Sequence, residues 1–244
     1  MRWVLGYLSA LCVLVLIISQ SVIIPTFFMP FFRWHYNRPC PDTGLDIAET
    51  IGISHEDLMR VTTQLLDYMR GRSDTLEGIT AEVMGRGTRG GRGSRTFGQN
   101  FFTDLEIRHM VDVRELYDIL FIARNVAFFL LIALILGMIL LKQNPLFLLS
   151  RCCREILVGF LALAAILAGI IAIDFDTSWT IFHHIFFDND YWLLRPFVDL
   201  MINMFPLHFF LNISIFVGGL LLGFSAVIIT AATVYLRQYN RPRY

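Results

Sequence analysis

Histidine and carboxylate side chains cluster at two places in this sequence, and both clusters contain the residue types of an acid–base site. In the first cluster, His109 has Glu106 three residues before it and Asp112 three residues after it. On a helix this spacing brings all three side chains to one face. A carboxylate beside an imidazole raises the imidazole pKa and can fix its tautomer. The same pattern also occurs at the charged, solvated end of an ordinary helix.

The second cluster lies within residues 174–208, where polar side chains alternate with aromatic ones. Its members are His183, His184, Asp188, Asn189, Asp190, Trp192, Arg195 and Asp199. Aromatic residues alone are typical of a membrane-interface belt, whereas ionisable groups beside a bilayer are costly and are functional candidates. We therefore expect this segment to contribute to a site.

Nucleophilic and metal-dependent chemistries have little support in these residues. The second cluster offers nitrogen and oxygen ligands to a metal ion, but His183 and His184 are adjacent and would point about 100° apart on a helix. The sequence has no H-E-x-x-H and no G-x-S-x-G motif, Ser225 lies deep in an apolar run, and a cysteine nucleophile would have to be Cys40. Imidazole acid–base chemistry remains, on a substrate that supplies its own nucleophile. We expect no cofactor and no metal ion.

Four apolar runs are long enough to place these clusters at a membrane, since a bilayer core takes about 20 apolar residues as helix. Hydrophobic residues make up 56% of the 244 residues and charged residues 16%, against roughly 45–50% and about 25% in soluble domains. This composition excludes a disordered chain, a collagen-like chain and a typical cytosolic enzyme. The first run is too long for a secretory signal and lacks a cleavage site, so we interpret it as a retained anchor.

The predicted fold is all-α: a polytopic membrane protein with four transmembrane helices and a small, mainly helical extracytoplasmic domain between helices 1 and 2. The predicted segments, in chain order, are transmembrane helix 1 (1–24), the extracytoplasmic domain (25–118), transmembrane helix 2 (119–141), a cytoplasmic loop (142–155), transmembrane helix 3 (156–173), an extracytoplasmic active-site loop (174–208), transmembrane helix 4 (209–236) and a cytoplasmic tail (237–244).

Basic residues beside the apolar runs predict the orientation, because cytoplasmic flanks carry an excess of Lys and Arg. One side of the four-span arrangement holds Arg2, Lys142, Arg151, Arg154, Arg237, Arg241 and Arg243. We therefore expect both termini in the cytoplasm and all six histidines outside or at the outer interface. These seven positive charges and the negative charge of Glu155 give the inner side a net charge of +6. Because the whole chain has a net charge of zero, the outer side has a net charge of −6.

Helix signals predict two helices in the outer domain. The first begins at Ser54 and ends near Gly71, and its apolar stripe consists of Leu58, Val61, Leu65 and Met69. The second begins at Thr103, where Glu106 completes a capping box, and is placed to continue directly into transmembrane helix 2.

Two other outer segments are interpreted from composition. The aromatic-rich segment 25–41 is predicted to be an interfacial collar. The Gly85–Arg95 segment, GRGTRGGRGSR, has the composition of an RNA-binding Arg-Gly segment. Because the predicted topology places it outside the cell, we interpret it as a loop that contacts anionic surfaces at most, and we expect no nucleic-acid partner.

Four motifs along the chain, taken together, have the pattern of a known family. They are Glu106-x-x-His109-Met110-x-Asp112-Val113, Phe182-His183-x-Ile185-Phe186-Phe187, Asn189-Asp190-x-Trp192 and Pro206-x-x-Phe209-Phe210. In this combination the chain resembles the bacterial lipoprotein intramolecular transacylase family over its whole length. The Gly85–Arg95 segment is not part of that pattern.

The resemblance implies acyl transfer within one substrate molecule. Family members move the sn-2 acyl chain of a diacylglyceryl lipoprotein to the α-amino group of its N-terminal Cys, giving a lyso-form lipoprotein at the outer face of the plasma membrane. The implied partners are such lipoproteins and membrane lipids. The implied catalytic residues are His109 and His183, with His184 less favoured, and which imidazole is the base stays open. The implied supporting or orienting residues are Glu106, Asp112, Asn189, Asp190, Trp192 and Arg195.

Two alternatives from other function classes remain open at the level of sequence. One is a non-enzymatic membrane scaffold or lipid-binding protein that uses its aromatic and Arg-rich outer loops as a contact surface. The other is a metal-dependent hydrolase at the outer face.

Overall fold

The computed structural model describes residues 2–41, 44–82, 100–196 and 198–241, and the regular elements in these ranges are all α-helices. The all-α prediction is therefore confirmed for this part of the chain. The helices are α1 (Arg2–Thr26), α2 (Met29–Tyr36), α3 (Ile47–Ile51), α4 (His55–Met69), α5 (Asp104–Leu140), α6 (Pro145–Ile173), α7 (Phe175–Phe186), α8 (Met201–Met204) and α9 (Leu207–Tyr239).

Four of these helices, α1, α5, α6 and α9, are long and apolar enough to cross a membrane. Each covers its predicted span to within one residue and extends beyond it at one end or both. Helix α6 begins at Pro145, so most of the segment 142–155 that was predicted to be a loop is helical. Helix α5 begins directly after Thr103 and continues for 37 residues, so the second outer helix and the second span form one helix, as the sequence indicated. No Gly or Pro interrupts it before Gly137, and every residue in between can keep helical geometry.

Two compact units make up the chain. The first consists of Met1–Ile24, Ile119–Phe182 and Ile215–Tyr244. In its core Ala10 and Ile17 of α1 pack with Cys152, Cys153 and Leu157 of α6. Close approach of these helices depends on Gly6, where a Cβ atom would lie 2.7 Å from the Cys152 Sγ.

The second unit consists of Pro25–Asp118 and His183–Ser214. Within it, the Ser54 side chain caps α4 by accepting a hydrogen bond from the Asp57 amide. The four residues of the predicted stripe are buried, and Gly71 follows the end of the helix with a φ of 71° that favours glycine. The sequence prediction of this helix is confirmed at both ends.

The short helices α2, α3 and α8 of the second unit were not predicted. The aromatic segment assigned to an interfacial collar contains α2, which buries Phe31, Phe32, His35 and Tyr36. The collar interpretation is therefore incomplete, since these rings form a packed core. Helix α3 begins at a capping box between Asp46 and Glu49, but five residues are too few to show a helical period.

The segment 174–208 is not a simple loop. It opens with the 12-residue helix α7, because the Asp174 carboxylate accepts hydrogen bonds from the Thr177 amide (3.0 Å) and hydroxyl (2.6 Å) and so starts a new helix after α6. Phe175, Trp179, Phe182 and Phe186 recur at helical spacing, so the sequence did contain a signal for this helix. The Gly85–Arg95 segment lies outside the described residues.

Candidate active site

Two histidines predicted as catalytic face each other in the second unit. His109 lies in α5 and His183 in the last turn of α7, and their ring centroids are 6.2 Å apart with a 34° tilt between the planes. Phe187 packs against both, with centroid distances of 5.3 Å to His109 and 5.6 Å to His183. The fold therefore brings together two imidazoles that are 74 residues apart, against an apolar wall.

His183 and the adjacent His184 have different environments. The His183 ring is buried and stacks on Trp192 at 4.7 Å, whereas His184 is exposed and meets Trp192 edge-on at 5.2 Å. Because successive side chains on a helix point about 100° apart, only one of the two can face His109. The structure gives that position to His183.

The Nδ1 atom of His109 is buried and has no hydrogen-bond partner among the described residues. Burial and, to a smaller extent, His183 lower the pKa of His109 to about 4, and Asp112 opposes both. The nearby carboxylate thus raises this pKa as expected, but the net shift is downward because loss of water outweighs one nearby charge. His109 is therefore neutral at physiological pH and able to accept a proton.

Asp112 and Asn189 are hydrogen-bonded to each other, and Asp112 interacts electrostatically with His109. The Asn189 side-chain amide donates a 2.9 Å hydrogen bond to Asp112 Oδ2, while Asn189 Oδ1 accepts from the backbone amide of Tyr191. This arrangement fixes both ends of the Asn189 amide and holds the Asp112 carboxylate in place one helical turn beyond His109. Both residues were predicted as supporting residues.

Glu106 lies one turn before His109 and is engaged at the start of α5. Its carboxylate is fully buried, with Oε2 accepting from the Thr103 amide (2.6 Å) and Oε1 accepting from the Met201 amide (2.6 Å). These bonds confirm the predicted capping box at the start of α5 and add a connection to α8. Glu106 is thus an attachment point one turn before His109.

The remaining predicted residues lie at the edge of the site. The Arg195 Nε donates to the buried Asp199 carboxylate at 3.3 Å, and most of the Arg195 side chain is exposed. Asp190 is exposed, and the hydrogen bond that it accepts from the Leu193 amide goes to its backbone oxygen. In the described part of the chain, no three His, Cys, Asp or Glu side chains gather in a way that could hold a metal ion.

Several contributing residues were missed at the level of sequence. The sequence showed Phe187 only as part of a motif, Thr103 only as a helix cap and Asp199 only as a member of the second cluster. A second imidazole pair was not foreseen at all: His35 of α2 stacks on His208 of α9 at 4.9 Å, and neither nitrogen of the buried His35 ring has a partner among the described residues. No local pattern could have revealed this pair, since 173 residues separate its members.

Similarity to a known protein family extends over most of the chain. A family model described as "Lipoprotein intramolecular transacylase Lit" matches residues 7–210. A curated relative, an uncharacterized protein of Aquifex aeolicus (strain VF5), is 26% identical over 132 residues, which are 54% of this chain and 56% of the relative. The match thus spans little more than half the length of that relative.

Solved structures of the membrane integral lipoprotein intramolecular transacylase Lit from Bacillus cereus have the same fold. One superposes with a TM-score of 0.70 at 16% identity, covering 98% of this chain and 97% of the other. Two further structures of that protein carry a substitution of one histidine, to arginine in one (TM-score 0.70) and to alanine in the other (TM-score 0.68).

Proposed function

We propose the following reaction, on the premise that this chain belongs to the lipoprotein intramolecular transacylase Lit family. The protein is a membrane acyltransferase that moves the sn-2 acyl chain of a diacylglyceryl lipoprotein to the α-amino group of the lipoprotein's N-terminal Cys. The single product is an N-acylated, lyso-form lipoprotein with a free sn-2 hydroxyl. The observation that carries the proposal is the buried pair His109 and His183, with its 6.2 Å ring separation.

The chemistry suits a site with two imidazoles and an intramolecular substrate. The substrate amine is the nucleophile, and its attachment to the same molecule as the ester supplies proximity. The protein then has to accept a proton from the amine, polarise the ester carbonyl and return a proton to the departing glyceryl oxygen. These steps need no cofactor.

The environments of the two histidines support a different chemical role for each. His109 is neutral and lies near Asp112, which stabilises the imidazolium that forms when His109 takes the amine proton. Because the pKa of His109 is low, its imidazolium is a stronger acid than that of an ordinary histidine and can protonate the glyceryl oxygen as the ester C–O bond breaks. His183, held against Trp192, donates a hydrogen bond to the carbonyl oxygen in the tetrahedral intermediate.

We also propose the location of this site. The charges flanking the four long helices favour cytoplasmic N- and C-termini and an extracytoplasmic active site in the plasma membrane. The segments 25–118 and 174–208 would then face the outer leaflet, where diacylglyceryl lipoproteins are anchored. Membrane lipids surround the apolar surfaces of α5, α6 and α9.

The test is substitution of each histidine, with lipopeptide mass spectrometry as the readout. We expect His109→Ala and His183→Ala each to reduce lyso-form product by at least about 100-fold, because each removes an acid–base group from the reaction. His55→Ala is the matched control, since His55 is an exposed histidine that bonds to Asp46. Each variant must accumulate in the membrane at the wild-type level.

The outcomes separate the proposed reaction from its alternatives. Unchanged lyso-form product in both variants contradicts the histidine mechanism. A wild-type protein that yields no N-acylated lipopeptide contradicts the acyltransferase assignment and favours a scaffold or lipid-binding role. Loss of activity on treatment with a chelator favours the metal-dependent hydrolase.

A further inference from the structure

The chain from residue 189 to residue 201 is attached to α5 on both sides of His109. On one side, the Asn189 amide donates to Asp112 at 2.9 Å, and on the other, the Met201 backbone amide donates to Glu106 at 2.6 Å. Asp112 and Glu106 are each three residues from His109, which is close to one helical turn. The two attachments therefore bracket the imidazole along the helix.

A third attachment is made by a hydroxyl between two buried carboxylates. The Thr103 Oγ1 lies 2.8 Å from Asp199 Oδ1 and 2.9 Å from Glu106 Oε2, and both carboxylates are 0% exposed. The second oxygen of Asp199 accepts from the backbone amide of Arg195 at 2.7 Å and from its Nε at 3.3 Å. A buried carboxylate oxygen that loses its donor is costly, so the hydroxyl fixes where Asp199 can lie.

The same stretch of chain also holds the other catalytic imidazole. Trp192, which stacks on His183 at 4.7 Å, comes three residues after Asn189 and three residues before Arg195. A shift of this stretch along α5 would carry Trp192 with it and so change the separation of His183 from His109. Displacements of about 1 Å are enough to reduce catalysis by about 100-fold.

We propose that Thr103 and Asp199 are positioning residues for the acyl transfer. Their hydrogen bond fastens the stretch 189–201 to the start of α5, and this attachment maintains the separation of the two imidazoles. The inference rests on the proposed function. Both residues act through the histidines.

The experiment compares two substitutions at Thr103 in the full-length protein in detergent, with a diacylglyceryl lipopeptide as substrate. Thr103→Val keeps the shape but removes the hydroxyl, and we expect kcat to fall by roughly 10- to 100-fold while KM changes less than about threefold. Thr103→Ser keeps the hydroxyl and is expected to recover most of that loss. Thr63→Val is the matched control, because the Thr63 hydroxyl bonds within its own helix, to the Met59 carbonyl.

Asp199→Asn weakens the bond at its other end, because an amide oxygen is a poorer hydrogen-bond acceptor than a carboxylate oxygen, and it serves if Thr103→Val does not fold. It keeps the size of the side chain but removes the charge that holds Arg195, and a fall in kcat at nearly constant KM is again expected. Thermal unfolding of each variant gives the folded fraction to which kcat is normalised.

Each outcome decides one of the two hypotheses. Suppose that the wild-type protein forms N-acylated product and that Thr103→Val and Asp199→Asn both keep the wild-type kcat per folded molecule. This result overturns the positioning role alone. Equal losses in Thr103→Val and Thr103→Ser also overturn it, because the hydroxyl would then be irrelevant. A wild-type protein without transferase activity overturns the proposed function, and this inference with it.

Discussion

At the scale of single residues, the environment of His109 decides how the site responds to pH. Burial removes water from the imidazole, and the charged form of His183 would repel the charged form of His109, so the neutral state is favoured. The nearby Asp112 reduces this effect without reversing it. A residue that sequence spacing suggests to be easily protonated is therefore held in its basic form.

This lowered pKa predicts the acidic limb of the rate profile. In the proposed reaction the base is neutral His109, whose pKa is about 4 in the folded protein against 6.5 for an ordinary histidine. Protonation of His109 should thus leave no break in the profile at pH 6.5 and should add to the loss of activity only near pH 4. The measurement is kcat/KM against pH, with the substrate amine contributing a separate limb near its own pKa of about 8.

Asp112→Asn provides the comparison for that profile. Removal of the carboxylate takes away the interaction that raises the His109 pKa, so the acidic limb should move to still lower pH. A wild-type limb near 6.5, or a limb that Asp112→Asn moves upward, would show that the buried environment does not control this imidazole.

The second imidazole pair shows the same physical effect without a catalytic assignment. His35 is 2% exposed, and burial, His208 and Arg38 lower its pKa to about 4. The ring fits among the aromatic side chains of Phe31 and Phe209 as a neutral group. Two buried nitrogens without partners nevertheless weaken this packing relative to an apolar ring of similar size.

At the scale of helices, the packing of α1 against α6 depends on the absence of a side chain at Gly6. A Cβ atom there would lie 2.7 Å from the Cys152 Sγ, and Cys152 is fully buried, so the sulfur has little space into which to move. Membrane helices commonly use small residues in this way to bring their backbones together.

Gly6→Ala should therefore lower the thermal unfolding midpoint, with a cost of about 1–3 kcal/mol from overpacking. The double variant with Cys152→Ala should recover most of the loss, because the clashing sulfur is gone. Gly159→Ala is the control in α6, since no atom lies within 4 Å of its Cβ position. The packing argument fails if Gly6→Ala is as stable as Gly159→Ala, or if the second substitution brings no recovery.

At the scale of the whole molecule, the distribution of charge predicts the topology. Seven basic residues and Glu155 lie beside the apolar spans, at the ends that the sequence assigns to the cytoplasm, and the rest of the charge is net negative. We expect a fluorescent protein fused after Tyr244 to fluoresce in the cytoplasm and alkaline phosphatase inserted after Gly90 to be active outside. The reverse pattern of the two reporters would place the histidines on the cytoplasmic side and contradict the proposed location of the reaction.

The sequence by itself determined the features that depend on local pattern. Runs of about 20 apolar residues identify membrane-length helices because helix length and bilayer thickness are both fixed. Capping residues marked the start of α4 and α5, and the types and spacing of the histidines indicated acid–base chemistry. Each of these signals is contained within a few neighbouring residues.

Only the tertiary structure decided which groups meet and how deeply they are buried. It placed His183 rather than His184 opposite His109, engaged Glu106 with Thr103 and Met201, and paired His35 with His208. The sign of the His109 pKa shift followed from the same cause, since loss of water depends on packing by residues distant in the chain. Burial and contact across long sequence separations have no local signature. For that reason the spacing of residues in the sequence could indicate the candidate catalytic groups but not their environment.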